Sequence, residues 1–230
     1  NLMILKDWSV RKDSKVCATF YTLRSYYLYH LENCELIAKR QEKIGTPLED
    51  HELMQLVYDG IDVLSYLESQ GYNHGFIRPE LIARNEKKAF VLMDRLMEGS
   101  AIDSNKYARQ MGFDPYCSPA VWNNITNQRQ NPHDPYKDDA FSFGMVLLRM
   151  ANLRSPREVY EPTGIVNQAR LNDLIDKAAT RYDHIILFRQ VLDRLLAVDE
   201  KFRADASTIK SGLPNRQQIQ MFFSNDNEDI

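Results

Sequence analysis

The stretch that decides the fold is residues 138–150, "DDAFSFGMVLLRM". From Asp139 to Leu153 the chain is apolar on nearly every side, as a helix buried among other elements is. Working back towards the N-terminus, Glu49–Gln70 carries Leu53, Val57, Gly60/Ile61, Leu64 and Leu67 on one helical face, and Gly71 follows as a helix stop. Beyond it, "NHGFIRPELI" (73–82) leads into "AFVLMD" (89–94), a short buried-strand pattern, so that a small strand pair is expected mid-chain. Forward of the opening stretch, Ala169–Ala179 and Ile185–Ala197 read as amphipathic helices, and Ala206–Gly212 as a further short one.

At the N-terminal end, Leu2–Val10 and Lys15–Tyr29 are rich in aromatic and β-branched residues and are expected as strands joined by "RKDSK". "ENCELIAKRQ" (32–41) reads as a short helix. The polar, Pro- and Asn-rich run "NNITNQRQNPHDPYKDD" (123–139) is expected to be exposed, with Asn123–Asp134 as an inserted contact loop or tolerated length. The tail from 215 is polar except for Met221–Phe223 and is expected to be loose unless held by a partner. No internal repeat is visible.

Composition narrows the function classes. Charged residues make up 27% and hydrophobic residues 43% of the 230, a soluble globular balance. The net charge of −3 provides no basic footprint, so nucleic acid is not an expected partner. No apolar run approaches the roughly 20 residues that span a bilayer. No signal peptide is expected from the opening residues. The chain opens on Asn1 and reads as a piece of a longer protein. Cys17, Cys34 and Cys117 are distant from one another and lack C-x-x-C spacing, so free thiols in a reducing compartment are expected. The histidines (30, 51, 74, 133 and 184) do not join them at ligand spacing, and no metal site is expected.

Five motifs in order carry a resemblance. His74-Gly75-Phe76-Ile77-Arg78-Pro79-Glu80-Leu81 resembles the catalytic loop of eukaryotic protein kinases, H-R-D-L-x-P-E-N. Asp94-Arg95-Leu96 stands where that family has D-F-G, Ser118-Pro119-Ala120 where it has A-P-E, and Asp139, Phe141, Ser142 and Gly144 where it has D-x-W-S-x-G. Arg203 in "AVDEKFRADAS" matches the arginine of the last signature. The resemblance runs from Leu2 to about Leu213. It implies an α+β, mainly helical fold: a remnant of the small lobe over 1–33 (two strands and a hinge, with Glu32 and Asn33 at the adenine-facing positions), a helical large lobe over 34–214, and a polar tail over 215–230.

The departures bear on chemistry. Phosphoryl transfer relies on positioning and charge stabilisation. Phe76 stands at the position of the general base, a group worth roughly 10²–10⁴-fold, and can neither accept a proton nor orient a hydroxyl. Leu81 stands at the metal-binding Asn. Asp94 is the remaining candidate for a metal–nucleotide contact, and one carboxylate does not complete an octahedral oxygen site. No G-x-G occurs among the nine glycines. Gly75 replaces the arginine that reads an activation-segment phosphate. Ala120 replaces the glutamate partner of Arg203, so Arg203 is expected to be exposed or to have a substitute carboxylate. Asp139 is expected to accept hydrogen bonds from the loop backbone. His74 is expected to hold the loop, Arg78 to lie at the surface or touch phosphate, and Cys117 to be a buried thiol.

These readings make the chain a catalytically inactive member, a pseudokinase: catalytic residues none, with His74, Gly75, Phe76 and Leu81 as degenerate positions, and Asp139, Ser142, Gly144 and Arg203 as structural ones. The expected job is protein binding, as a scaffold or structural subunit of a larger complex. No cofactor, no membrane insertion and no residual ATP binding are expected. A cytoplasmic setting is expected, with a cytoskeletal or ciliary assembly as one candidate. Two rivals are a nucleotide-binding allosteric switch and an atypical phosphotransferase using Asp94 and Glu80.

Overall fold

A computed structural model describes residues 35–217 apart from 86, 94–113, 162, 183 and 184. The elements run β1 (Glu35–Leu36), α1 (Ile37–Ile44), α2 (Asp50–Ser69), β2 (Ile82–Arg84), β3 (Phe90–Leu92), α3 (Pro119–Thr126), α4 (Pro135–Asn152), α5 (Gln168–Arg181), α6 (Ile186–Leu195) and α7 (Ala206–Gly212). Short 3-10 turns lie at Pro79–Leu81 and Pro156–Val159. The described fold is mainly helical with one small antiparallel sheet, α+β as expected. The strands expected over Leu2–Val10 and Lys15–Tyr29 lie outside the described residues. So do Glu32, Asn33, Cys17, Cys34, Asp94-Arg95-Leu96 and Met221–Phe223.

Helix α4 is the axis. Asp134 caps it by accepting the N–H groups of Tyr136 and Lys137, and Pro135 fills the first position, where no N–H is needed. Twelve of its residues are buried, and α2, α5, α6 and α7 all pack on it. Two glycines set those distances. A Cβ on Gly60 of α2 would stand 2.1 Å from the Phe143 ring, and one on Gly144 would stand 2.8 Å from the Leu196 side chain. The face of α2 read from the sequence is the buried one: Leu53, Val57, Ile61 and Leu64 all lie in the core. The helix ends as expected, with Gly71 at φ +74°.

The sheet has the order β1-β2-β3. Glu35 is opposite Arg84 and Leu36 opposite Ala83; Ile82, Ala83 and Arg84 face Leu92, Val91 and Phe90. Arg84 of β2 forms an ion pair with the buried Glu52 of α2 and so fastens the hairpin to the helical body.

Three expectations are corrected. The helix read over 32–41 begins at Ile37 instead, because Glu35 and Leu36 give their backbone to the edge of the hairpin. The run 123–139 is not one exposed insertion. Asn123–Thr126 completes α3, with Asn124 buried, and Asp134–Asp139 caps and starts α4; the fully exposed loop between them is 127–132. The tail, expected to be loose, is held at its described start, 215–217: Arg216 is ion-paired to Asp59 and Asp62 of α2.

Candidate functional site

The loop between α2 and the Pro79–Leu81 turn is held from below by α4. Both carboxylate oxygens of Asp139 accept backbone N–H groups, from His74 at 2.5 Å and Gly75 at 2.7 Å. Such charge-assisted bonds are stronger than neutral ones. Gly75 sits at φ +71°, a conformation that a side chain would strain. His74 works in both directions along the loop. Its Nδ1 accepts the Phe76 N–H at 3.2 Å, and its Nε2 lies 3.0 Å from the Met93 carbonyl. An accepting Nδ1 leaves the proton on Nε2, so a neutral ring donates to Met93 and ties the loop to the end of β3.

Phe76 carries no chemistry of its own, but it is engaged. The Arg78 guanidinium lies 3.4 Å from the centroid of its ring. Arg78 also forms an ion pair with Asp114, in which both side chains are largely shielded from solvent. Burial raises the Asp114 pKa, opposed by the charge of Arg78 and by the Tyr116 N–H, which donates to it. Leu81 packs against the core, and its carbonyl accepts the Met93 N–H at 2.7 Å. Phe76, Asp114, Tyr116, Cys117, Ser118 and Asp139 line a cleft of about 30 Å³, room for little more than water.

The 114–118 segment is pinned to α4. The Ser142 hydroxyl lies 2.7 Å from the Tyr116 carbonyl and 3.0 Å from that of Asp138, shared between the two. Ser118 caps α3 through the Val121 N–H and donates its own hydroxyl proton to Asp138. Asp138 further holds the His133 ring through Nδ1, and its Oδ1 stands 3.9 Å from Arg203.

Arg203 is 2% exposed. Its N–H groups donate to the carbonyls of Ala197 (2.8 Å), Val198 (2.9 Å) and Lys137 (3.4 Å), and it lies over the Phe141 ring. Burial lowers its pKa; the charge of Asp138 is the largest influence raising it. Ala120 lies on α3 and Gly144 on α4, while Glu80 is exposed on the 3-10 turn. Asp94, the candidate for a metal–nucleotide contact, lies outside the described residues, as does most of Met97–Tyr116. Among the described residues, no group of three or more His, Cys, Asp or Glu side chains is arranged to hold a metal, and no helix is long and apolar enough to cross a membrane.

The structure thus joins His74, Gly75 and Asp139 directly, and Arg203 to the same helix through Asp138. Sequence reasoning singled out neither Asp114, Asp138, His133 nor Arg216. The pair "DD" at 138–139 was visible, but only the geometry separates the loop-holding carboxylate from the one that serves Ser118, His133 and Arg203.

No protein-family profile matches the chain. It is similar to a proline-rich receptor-like protein kinase of Arabidopsis thaliana, 28% identical over 175 residues, which are 68% of this chain and 23% of that protein. It is also similar to the dual specificity mitogen-activated protein kinase kinase hemipterous of Drosophila melanogaster, 28% identical over 116 residues, 49% of this chain and 9% of that protein. These matches support a protein-kinase-like relationship. The chain spans less than a quarter of the length of either relative.

Proposed function

We propose that this is a kinase-like domain, equivalent to the helical lobe and its approach strands, that does not transfer phosphate and serves as a protein-binding scaffold or structural subunit. The observation that carries this reading is the stack of Phe76, Arg78 and Asp114. In the kinase pattern, the position of Phe76 belongs to the base that receives a hydroxyl proton. Here that position presents an aromatic face, and the face is covered by the arginine two residues on. That arginine is in turn neutralised by Asp114. The groups that would meet a phosphate and a hydroxyl are engaged with one another. Leu81, at the metal-ligand position, offers no oxygen from its side chain. What remains of the pattern, the Asp139 carboxylate of α4 and the neutral His74 of the loop, serves to fix the loop backbone. A rigid, well-anchored surface is what a binding partner requires.

The test is a thermal melt of the intact chain with and without Mg-ATP, with Asp94→Ala as control. A ligand bound only by the folded state raises the melting temperature by mass action. The expected result is no shift at millimolar ATP, and no phosphate transfer to a generic substrate. A shift of several degrees that disappears in Asp94→Ala would overturn the scaffold reading in favour of a nucleotide-binding switch.

A further inference from the structure

Asp59, in the middle of α2, is 2% exposed, and its carboxylate joins three parts of the chain. Its Oδ2 accepts the Phe90 N–H at the start of β3 at 2.8 Å and the Gln55 side-chain amide at 2.8 Å. Its Oδ1 accepts Arg216 Nη1 at 2.8 Å, from 157 residues further along the chain. The other end of that guanidinium reaches Asp62 at 3.2 Å, and its plane lies against the Tyr58 ring. Tyr58 in turn donates its hydroxyl proton to the Pro214 carbonyl at 2.9 Å, and Leu213 packs on the core. Residues 213–216 therefore cross α2 as a strap. Among the described residues, Arg216 is the cation within ion-pair distance of Asp59.

A carboxylate this deeply buried needs that charge. Without it, Oδ1 is left without its donor, and the carboxylate must draw in water or turn to find another partner, which disturbs the bonds that Oδ2 accepts from Phe90 and Gln55. Strand β3 is only three residues long, so it has few other backbone bonds to keep it in place. Directly after it comes Met93, whose carbonyl meets His74 and whose N–H binds the Leu81 carbonyl. The contacts run unbroken from Arg216 through Asp59 and β3 to the loop at 73–81.

We propose that the strap is a latch. Arg216 fixes β3, and through it the candidate site, by neutralising Asp59, so that anything drawing the chain beyond Gln217 away from α2 loosens the strand leading into residue 94.

Amide hydrogen exchange, followed residue by residue by NMR on the intact chain, tests this with Arg216→Ala, Asp59→Asn and the double variant. In Arg216→Ala the Phe90 amide is expected to exchange about tenfold faster, while Val57 and Phe143 in the core keep their protection. In Asp59→Asn the side-chain carbonyl still accepts the Phe90 N–H, but there is no charge to neutralise. Adding Arg216→Ala to that background should then leave Phe90 close to its protection in Asp59→Asn alone. Unchanged exchange at Phe90 in Arg216→Ala would overturn the latch. So would an equal rise throughout the core, which would mean general destabilisation, or the same rise in the Asp59→Asn background, which would mean that the strap acts by packing rather than by charge.

Discussion

Arg203 has almost no surface in contact with solvent, yet its nearest carboxylate oxygen among the described residues is 3.9 Å away, in Asp138. Its charge is spread over three backbone carbonyls and an aromatic face, each weaker than a bidentate carboxylate but together engaging all three of its nitrogens. The need for such compensation followed from Ala120, which leaves no acid at the expected position; the identity of the substitutes did not, since carbonyls have no sequence signature. Cys117, expected as a buried thiol, is instead half-buried in the lining of the cleft. Burial pushes its thiol pKa well above the ordinary value, and the negative charge of Asp114 pushes it further. The thiolate is the reactive form. Iodoacetamide at about pH 8 is therefore expected to leave Cys117 unmodified in the native chain and to alkylate it in guanidinium chloride. The Cys117 peptide, followed by mass spectrometry, reports this directly; rapid alkylation of the native protein would show that the thiol is accessible and ionised.

At the scale of elements, the contact of α2 with α4 depends on a missing side chain. Gly60 faces the Phe143 ring so closely that a methyl group has no room unless the ring moves. Gly60→Ala is expected to destabilise the protein by about 1–3 kcal/mol, the usual range for overpacking a filled core. Phe143→Leu, destabilising alone through lost volume, should recover part of that loss when combined with Gly60→Ala. Denaturant midpoints of the four proteins make the comparison, and strictly additive effects would contradict a direct clash. Helices α2 and α4 were legible because twenty and eighteen residues give several turns of one apolar pattern. Strand β1 was not, because two residues carry no period and its partners lie almost fifty positions away. The start of α4 was misread for a different reason: Asn, Asp and Pro serve equally as loop residues and as the cap and first residue of a helix. The candidate site was legible as a set of positions, but the contacts that join them, such as Arg78 with Asp114, are not encoded in spacing.

Across the whole molecule, tyrosine hydroxyls tie distant parts of the chain to backbone carbonyls: Tyr182 to Leu48 at 2.6 Å, Tyr160 to Cys117 at 2.9 Å and Tyr58 to Pro214 at 2.9 Å. Each acts as a donor and must keep its proton to do so. Burial raises the pKa of all three, and that of Tyr182 is pushed up to about 12. The consequence for stability has a definite sign. Above the ordinary value of 10, the unfolded chain releases the Tyr182 proton while the folded chain retains it until about 12. The folded state then binds more protons, so stability falls as pH rises through this window, and Tyr58 and Tyr160 act in the same direction. Tyr182→Phe removes one such group together with its hydrogen bond. At neutral pH the variant is expected to be less stable by about 1–3 kcal/mol, because the Leu48 carbonyl loses its donor. For a chain of this size that is roughly 2–4 °C in melting temperature for each kcal/mol. Between pH 10 and pH 12 the gap to the wild type should narrow, since only the wild type still has the Tyr182 proton to lose. Melting curves of both proteins across the alkaline range decide it: a gap that stays constant to pH 12 would mean that the Tyr182 proton is not what links folding to pH there.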